Sequence, residues 1–441
     1  MIKKILLSLP LSALLVVSCS GRADDNNQSQ TREGPVVIET GPQLTDHDTF
    51  DFINTGANTI DMNGDDWRSL RLKLAQTDSM PVSILQIGDS HIQADVASQR
   101  VRDLLQQRYG DGGRGIITPL KIAGTNEPVN YSFTTSARNT SAKLLKLPWM
   151  TDMGFTGVSF TPVSPSFSMT LSTAVRSCPE GDPFNSVLIF SNGRVFVDKI
   201  TDGQGVNVAF TDSVMDYCTR INMRTSEVTV NLSLHSFESV TIFGASLENR
   251  DSGVRYHAIG NNGATYSTYN QLMSMGSDVA MLSPDLFIVS LGTNEAFGKV
   301  SDENMRSEID CMIRDLRKYN PDAKILLTTP MECQRAKRVA RRKTRRGRRR
   351  AVYSKSFSVN ENVKRMRNVI LRYGKDNGIP VYDWYEVAGG DGASTAWVEN
   401  GLMNTDRIHN TFAGYKLQGD LLYNALESAL NPTFTPDTEL P

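Results

Sequence analysis

The sequence predicts an α/β fold built on a parallel β-sheet and interrupted by an inserted all-β domain. Three observations predict it. Short apolar runs at residues 84–87, 285–291, 323–329 and 379–384 end in turns and alternate with helical periodicity, as in a parallel sheet covered on both faces. Between residues 125 and 240 the pattern changes to period two. A chain of 441 residues, 39% apolar and 22% charged, has the length for two or three domains and a sizeable core.

Taken in order, the chain begins with Lys3 and Lys4 ahead of an apolar stretch at residues 5–17. Val16-Val17-Ser18-Cys19 then has the form of a lipobox, so residues 1–19 are expected to be a lipoprotein signal peptide with Cys19 the lipidated residue. The expectation is an exported lipoprotein of the cell envelope, anchored to the outer membrane by lipid and facing the periplasm. No later stretch is long and apolar enough to span a bilayer. Residues 20–45 are polar and aperiodic and read as a flexible tether.

Residues 46–124 form the first part of the α/β domain, with a short amphipathic helix around 66–74. The apolar run at 84–87 ends in Gly88-Asp89-Ser90-His91. Gly88 permits a sharp exit and Asp89 can accept from turn amides, which leaves the Ser90 hydroxyl facing the crevice at the carboxyl ends of the strands. His91 shapes the turn. Val101, Leu104, Leu105 and Tyr109 then mark a helix over 95–109, stopped by Gly110-Asp111-Gly112-Gly113.

Residues 125–239 read as an inserted β-sandwich. Val228, Val230, Leu232 and Leu234 alternate with polar residues, as do Phe167, Met169 and Leu171. Further strands are expected at 187–190, 195–197 and 206–210, the last two after the turn signals Asn192-Gly193 and Asp202-Gly203. From 240 to 430 the α/β pattern returns, with strands at 240–244, 285–291, 323–329 and 379–384. Helices are expected at 266–275, from a cap at Ser301 or Asp302 through Leu316, from Val363 to near Gly378, and over 412–430. Residues 431–441 are a tail.

A serine so placed needs a base. Among five histidines, His47, His91, His235, His257 and His409, only His409 has an acid three residues before it, Asp406. That spacing lets the carboxylate fix the ring's tautomer while the other nitrogen faces Ser90. His47 and His235 carry no assigned role; His91 and His257 are candidates for substrate contact. Gly260-Asn261-Asn262-Gly263-Ala264-Thr265 is a glycine turn whose amide can face an oxyanion, and Gly292-Thr293-Asn294-Glu295 offers a side-chain amide.

The order of these blocks resembles the SGNH (GDSL-type) hydrolases. The fuller strings Gly88-Asp89-Ser90-His91, Tyr109-Gly110-Asp111-Gly112-Gly113, Asn262-Gly263-Ala264 and Gly292-Thr293-Asn294-Glu295-Ala296 resemble the branch containing bacterial peptidoglycan O-acetylesterases. The resemblance covers roughly residues 80–120 and 240–425 and implies a flavodoxin-like three-layer sandwich. It also implies Ser90, Asp406 and His409 as the catalytic residues and Ser90, Gly263 and Asn294 as the oxyanion hole. Gly260 competes for the glycine role; the Asn-Gly-Ala-Thr string favours Gly263.

The implied reaction is removal of O-acetyl groups from a polysaccharide, peptidoglycan muramic acid first, with no metal or organic cofactor. The β insertion would be carbohydrate-binding-like or a plain structural support. Deacetylation of another glycan, O-acetyl transfer to a sugar, and a non-catalytic envelope-binding lipoprotein remain alternatives.

Net charge is −1, which gives no bulk attraction to nucleic acid, and no nucleic-acid partner is expected. It conceals an asymmetry. Residues 335–350 carry eleven Lys or Arg and no acid, so the remainder of the chain sums to about −12. This stretch is expected to be a solvated loop on the Ser90 rim, with contact to an anionic envelope polymer as the functional alternative. Cys178 with Cys218 and Cys311 with Cys333 are the nearest disulfide pairings, and isolated thiols serve equally.

Overall fold

The computed structural model describes residues 50–249, 252–272, 274–345 and 348–431. The segments expected to be a signal peptide with Cys19 and a tether, together with His47 and all but the first residue of the expected tail, lie outside them. Among the described residues no helix is long and apolar enough to cross a membrane.

The central sheet contains β1 (Ile60–Asp61), β2 (Val82–Gly88), β3 (Val254–Gly260), β4 (Leu286–Ser290), β5 (Lys324–Thr328) and β6 (Val381–Tyr382), in the order β1-β6-β5-β4-β2-β3. All neighbours are parallel except β1, which runs antiparallel to β6. Without β1 this is the flavodoxin-like order. After β3 the chain crosses back over β2, so the switch point lies between β2 and β4, where such sheets hold their ligands.

The strands read as unbroken apolar runs because each face has its own cover. Val82, Ile84, Leu286, Ile288 and Leu326 pack with α2 (Val96–Tyr109) and α5 (Phe412–Leu430). Leu85, Ile87, Phe287, Val289, Ile325 and Leu327 pack with α3 (Asp302–Tyr319) and α4 (Glu361–Asn377). α1 (Arg68–Leu74) adds Leu70 and Leu74 to the first of these layers. Local sequence sets the helix ends: Ser301 accepts from the Asn304 amide at the start of α3, and Gly378, at φ +61°, ends α4.

The insertion is a sandwich of two antiparallel sheets. One is ordered Phe210–Val214, Cys218–Glu227, Phe184–Ser191, Ile242–Glu248, Val158–Pro162 and Asn139–Lys143, with Gly115–Ile117 paired on Ile242–Glu248. The other is ordered Ser132–Thr134, Ser166–Ser172, Thr229–His235 and Phe196–Asp202. Phe133, Phe160, Met169, Leu171, Ile189, Ile221, Val230 and Leu232 fill the space between them.

Several sequence expectations are corrected here. The strand expected at 240–244 runs from Ile242 to Glu248 and belongs to the sandwich rather than the parallel sheet. Ile242, Ala245 and Leu247 face the sandwich core while Phe243 packs against the α/β core, so burial on both sides imitates a central parallel strand. The sandwich therefore reaches from Gly115 to Glu248. The helix expected at 266–275 divides into Tyr266–Tyr269 and Met275–Val279, and the strand expected at 206–210 starts only at Phe210. The last strand keeps only Val381–Tyr382, because Trp384 opens a helical turn. The described part of the basic segment is not a loop. Its backbone forms an antiparallel ribbon of Gln334–Arg345 with Arg348–Val359. Cys178, Cys218, Cys311 and Cys333 are all free thiols.

Gly260 gives a test of this packing. A Cβ there would stand 2.0 Å from the Gln93 nitrogen, whereas one at Gly193 would meet nothing nearer than 3.8 Å. Gly260→Ala is expected to lower stability to chemical denaturation by about 1–3 kcal/mol, with Gly193→Ala near the unsubstituted protein.

Candidate active site

β2 delivers Ser90 to the switch point by a reversal that needs glycine at its last position. A Cβ on Gly88 would lie 2.3 Å from Ile92 Cγ1 and 2.9 Å from the Ser290 carbonyl. Immediately afterwards Ser90–Gln93 makes one helical turn, and the buried Asp89 accepts from the His91 amide at 3.0 Å. The other Asp89 oxygen accepts from Asn294 Nδ2 at 3.1 Å, which ties the turn after β2 to the turn after β4. Burial raises the Asp89 pKa despite these donors.

The candidate base, His409, arrives from the far end of the chain. Ser90 Oγ lies 2.9 Å from His409 Nε2, and His409 Nδ1 lies 2.8 Å from Asp406 Oδ2. The turn holding the pair is not helical. Asp406 Oδ1 accepts from the amides of Ile408 and His409, both at 3.0 Å, so one carboxylate closes the turn and faces the ring. Burial raises the Asp406 pKa, but the His409 bond and these two amides outweigh it and leave it below the usual carboxylate value. Such a group is ionised through the neutral range. The Asp406 and His409 side chains are 47% and 38% exposed, so the site is an open rim rather than a tunnel.

The donors expected for an oxyanion are arranged unequally. Among the described residues the Ser90 and Gly263 amides have no hydrogen-bond partner, and Gly263 sits at φ +83°, which favours glycine. Gly260 ends β3, and its want of a Cβ serves packing against Gln93. Asn294 Nδ2 donates to Asp89 and, at 3.0 Å, to the Ala264 carbonyl, so engaging an oxyanion requires giving up one of these bonds.

His91 stays beside the site. Its Nδ1 is 3.1 Å from Tyr415 Oη, its ring centroid is 5.3 Å from that of His409, and burial lowers its pKa towards the neutral ring. His257 does not line the site. It lies in the middle of β3, fully buried, with neither ring nitrogen partnered among the described residues, and burial pulls its pKa down to about 3. Proximity in sequence to the glycine turn misleads because strand alternation points it into the interior. His235 stands away from the site on the sandwich, stacked on Phe196.

Sequence reasoning missed Gln93. Its Oε1 accepts from the Asn262 amide at 2.7 Å and its Nε2 donates to the Asn126 carbonyl at 2.8 Å, so it fastens the Gly263 turn to the Ser90 turn. The insertion supports the same turn. Asn261 Nδ2 donates to the Thr156 carbonyl and to Tyr269 Oη, each at 3.0 Å. Nothing local marks Gln93, since its partners are distant in sequence. Among the described residues no group of three or more His, Cys, Asp or Glu side chains is disposed to hold a metal ion.

A parallel sheet in flavodoxin-like order, with Ser, His and Asp in one hydrogen-bonded row at its switch point, defines an SGNH-type ester hydrolase. The GDSL-like lipase/acylhydrolase family matches residues 200–417 of the chain, a stretch holding Gly263, Asn294, Asp406 and His409 but not Ser90. The fold is similar to that of a solved peptidoglycan O-acetylesterase, with a TM-score of 0.64 at 21% identity over 86% of this chain and 99% of that one. A lipase/acylhydrolase from Enterococcus faecalis matches 42% of this chain and 81% of its own at 20% identity, TM-score 0.29. A carbohydrate esterase family 3 structure from Talaromyces cellulolyticus matches 42% and 74% at 14% identity, TM-score 0.28. No curated relative matches the chain.

Glu295, next to Asn294, yields a pH prediction. It is buried, accepts from the Tyr266 amide at 2.8 Å through one oxygen, and burial pushes its pKa up to about 7. An acid whose folded pKa is raised favours the fold only while protonated, so stability falls as pH rises from the unfolded value through about 7. Glu295→Gln keeps the acceptor and removes the ionisation. The variant is expected to gain on the order of 2 kcal/mol at pH 8 and nothing at pH 4, measured by chemical denaturation.

Proposed function

We propose that this protein is a serine esterase that removes O-acetyl groups from a polysaccharide, the muramic acid of peptidoglycan, as an exported lipoprotein tethered through Cys19. The observation that carries the reading is the row from Ser90 Oγ through the His409 ring to Asp406, 2.9 and 2.8 Å, on an open rim beside two amides that have no partner among the described residues. An acetyl group on a polymer needs such access, because the chain must lie across the site while one small acyl group enters it. The likeness in fold to a peptidoglycan O-acetylesterase supports the choice of substrate.

Asp406 holds His409 with Nδ1 protonated, so Nε2 takes the proton as Ser90 Oγ attacks the acetyl carbonyl. Charge developing on the carbonyl oxygen meets the Ser90 and Gly263 amides and the Asn294 side chain. His409 returns the proton to the departing sugar oxygen, leaving an acetyl-serine. Water, deprotonated by His409, attacks the acetyl carbonyl, and His409 returns that proton to Ser90 Oγ as the acyl–oxygen bond breaks and acetate leaves.

Ser90→Ala, with folding verified, is expected to abolish acetate release from O-acetylated peptidoglycan, and retained release would overturn the assignment. Asp406→Asn leaves the ring in the wrong tautomer and is expected to cost on the order of 10⁴-fold in kcat. Asn294→Ala is expected to cost about 10²–10³-fold in kcat with KM little changed, as read from initial rates on a small acetyl ester.

A further inference from the structure

Among the described residues the ribbon of Gln334–Arg345 and Arg348–Val359 joins no other sheet. Each strand has 12 residues, a length of about 40 Å. Its foot is built into the site. The Gln334 amide donates to the Arg407 carbonyl at 3.0 Å, and Arg407 Nη1 donates to Gln334 Oε1 at 3.0 Å. The Arg407 guanidinium also lies 4.8 Å from the centre of the Phe357 ring. Arg407, at φ +61°, is the residue after Asp406 in the turn that carries His409. On the other side Arg335 donates to the carbonyl of Ala296, two residues past Asn294, and sits over Phe297.

Residues 335–350 hold eleven Lys or Arg, and residues 334–359 contain no Asp or Glu. The register sets Arg338 opposite Lys355, Lys343 opposite Arg350 and Arg345 opposite Arg348. Like charges directly opposite destabilise a strand pair, and a lone two-stranded ribbon is marginal in water. No acidic residue of the ribbon relieves this repulsion; a polyanion lying along it would.

We propose that the ribbon is a docking arm for an anionic polysaccharide, which it leads to Ser90. The proposal rests on the reading of the site as an esterase acting on a glycan, and it adds that the favoured glycan carries negative charge. The net charge of about −12 on the rest of the chain leaves the ribbon as the place where a polyanion is drawn. Nucleic acid fits less well. Of the two aromatic residues of the ribbon, Phe357 lies under Arg407 and only Tyr353, with Arg338 over one face at 3.7 Å, is largely exposed, so the ribbon offers no row of rings on which successive bases could stack.

The test replaces Arg341, Arg342, Lys343, Arg345, Arg348 and Arg349 by Gln in the full chain. Turnover of p-nitrophenyl acetate is expected to stay within about twofold of the unsubstituted protein, because the site itself is untouched. For O-acetylated peptidoglycan, KM is expected to rise at least about tenfold with kcat kept, and the unsubstituted protein is expected to lose the same factor between about 50 and 500 mM salt. Acetylated xylan, which is neutral, is expected to distinguish neither protein.

Binding is read separately, by co-sedimentation of Ser90→Ala protein with peptidoglycan, with and without the six substitutions. Weaker sedimentation of the substituted protein supports the arm even where no acetate is released from peptidoglycan, an outcome that would defeat only the substrate reading. Equal KM and equal sedimentation would overturn the proposal. So would tighter binding of polyuridylic acid than of peptidoglycan at the same salt.

Discussion

The site depends on a close approach that only glycine allows. Gly88 and Gly260 end neighbouring strands and are paired in register. The Ser90–Gln93 turn folds back across both of them, so that Ile92 occupies the space of one missing Cβ and Gln93 that of the other. With the turn pressed against the sheet in this way, Gln93 reaches the Asn262 amide and Asp89 reaches Asn294. Three turns from distant parts of the chain thereby become one wall. A side chain at either glycine would lift Ser90 away from the other two turns without any reactive group having been changed.

The second constraint lies in the turn of Asp406 and His409. Its carboxylate satisfies two backbone amides with one oxygen and the imidazole with the other, so the electrostatics that orient the ring are the same interactions that shape the loop. Two further supports meet there. Thr411 caps α5 by accepting from the Gly414 amide, and the ribbon grips Arg407. The sandwich braces the opposite wall through Asn261. The insertion therefore has a positioning role in the site independent of any ligand of its own.

Legibility in the sequence followed how local the determining forces are. The helices α3 and α4 were readable because their apolar residues recur within four positions and their caps, Ser301 and Gly378, are adjacent. Ser90, His409 and Asp406 were readable because the nucleophile turn and the acid–histidine spacing are short strings. β3 was not, since Arg255 and His257 interrupt its apolar pattern; Arg255 is accepted in the interior by the ion pair with Glu248. Gln93 was invisible because its partners lie more than thirty residues away. The ribbon read as a loop because like charges repel. Its return strand nevertheless alternates Tyr353, Lys355, Phe357 and Val359 with polar or small residues, and its foot is fastened at Gln334 and Arg407.

The central claim is that Ser90 is a nucleophile activated by His409 within this wall of donors. Its most direct measurement is labelling with an acyl-mimicking phosphonate, followed by intact mass and peptide mapping. The account predicts one adduct per chain on the peptide containing Ser90, lost in His409→Ala protein. An adduct elsewhere, or labelling of Ser90 that survives removal of the imidazole, would contradict it.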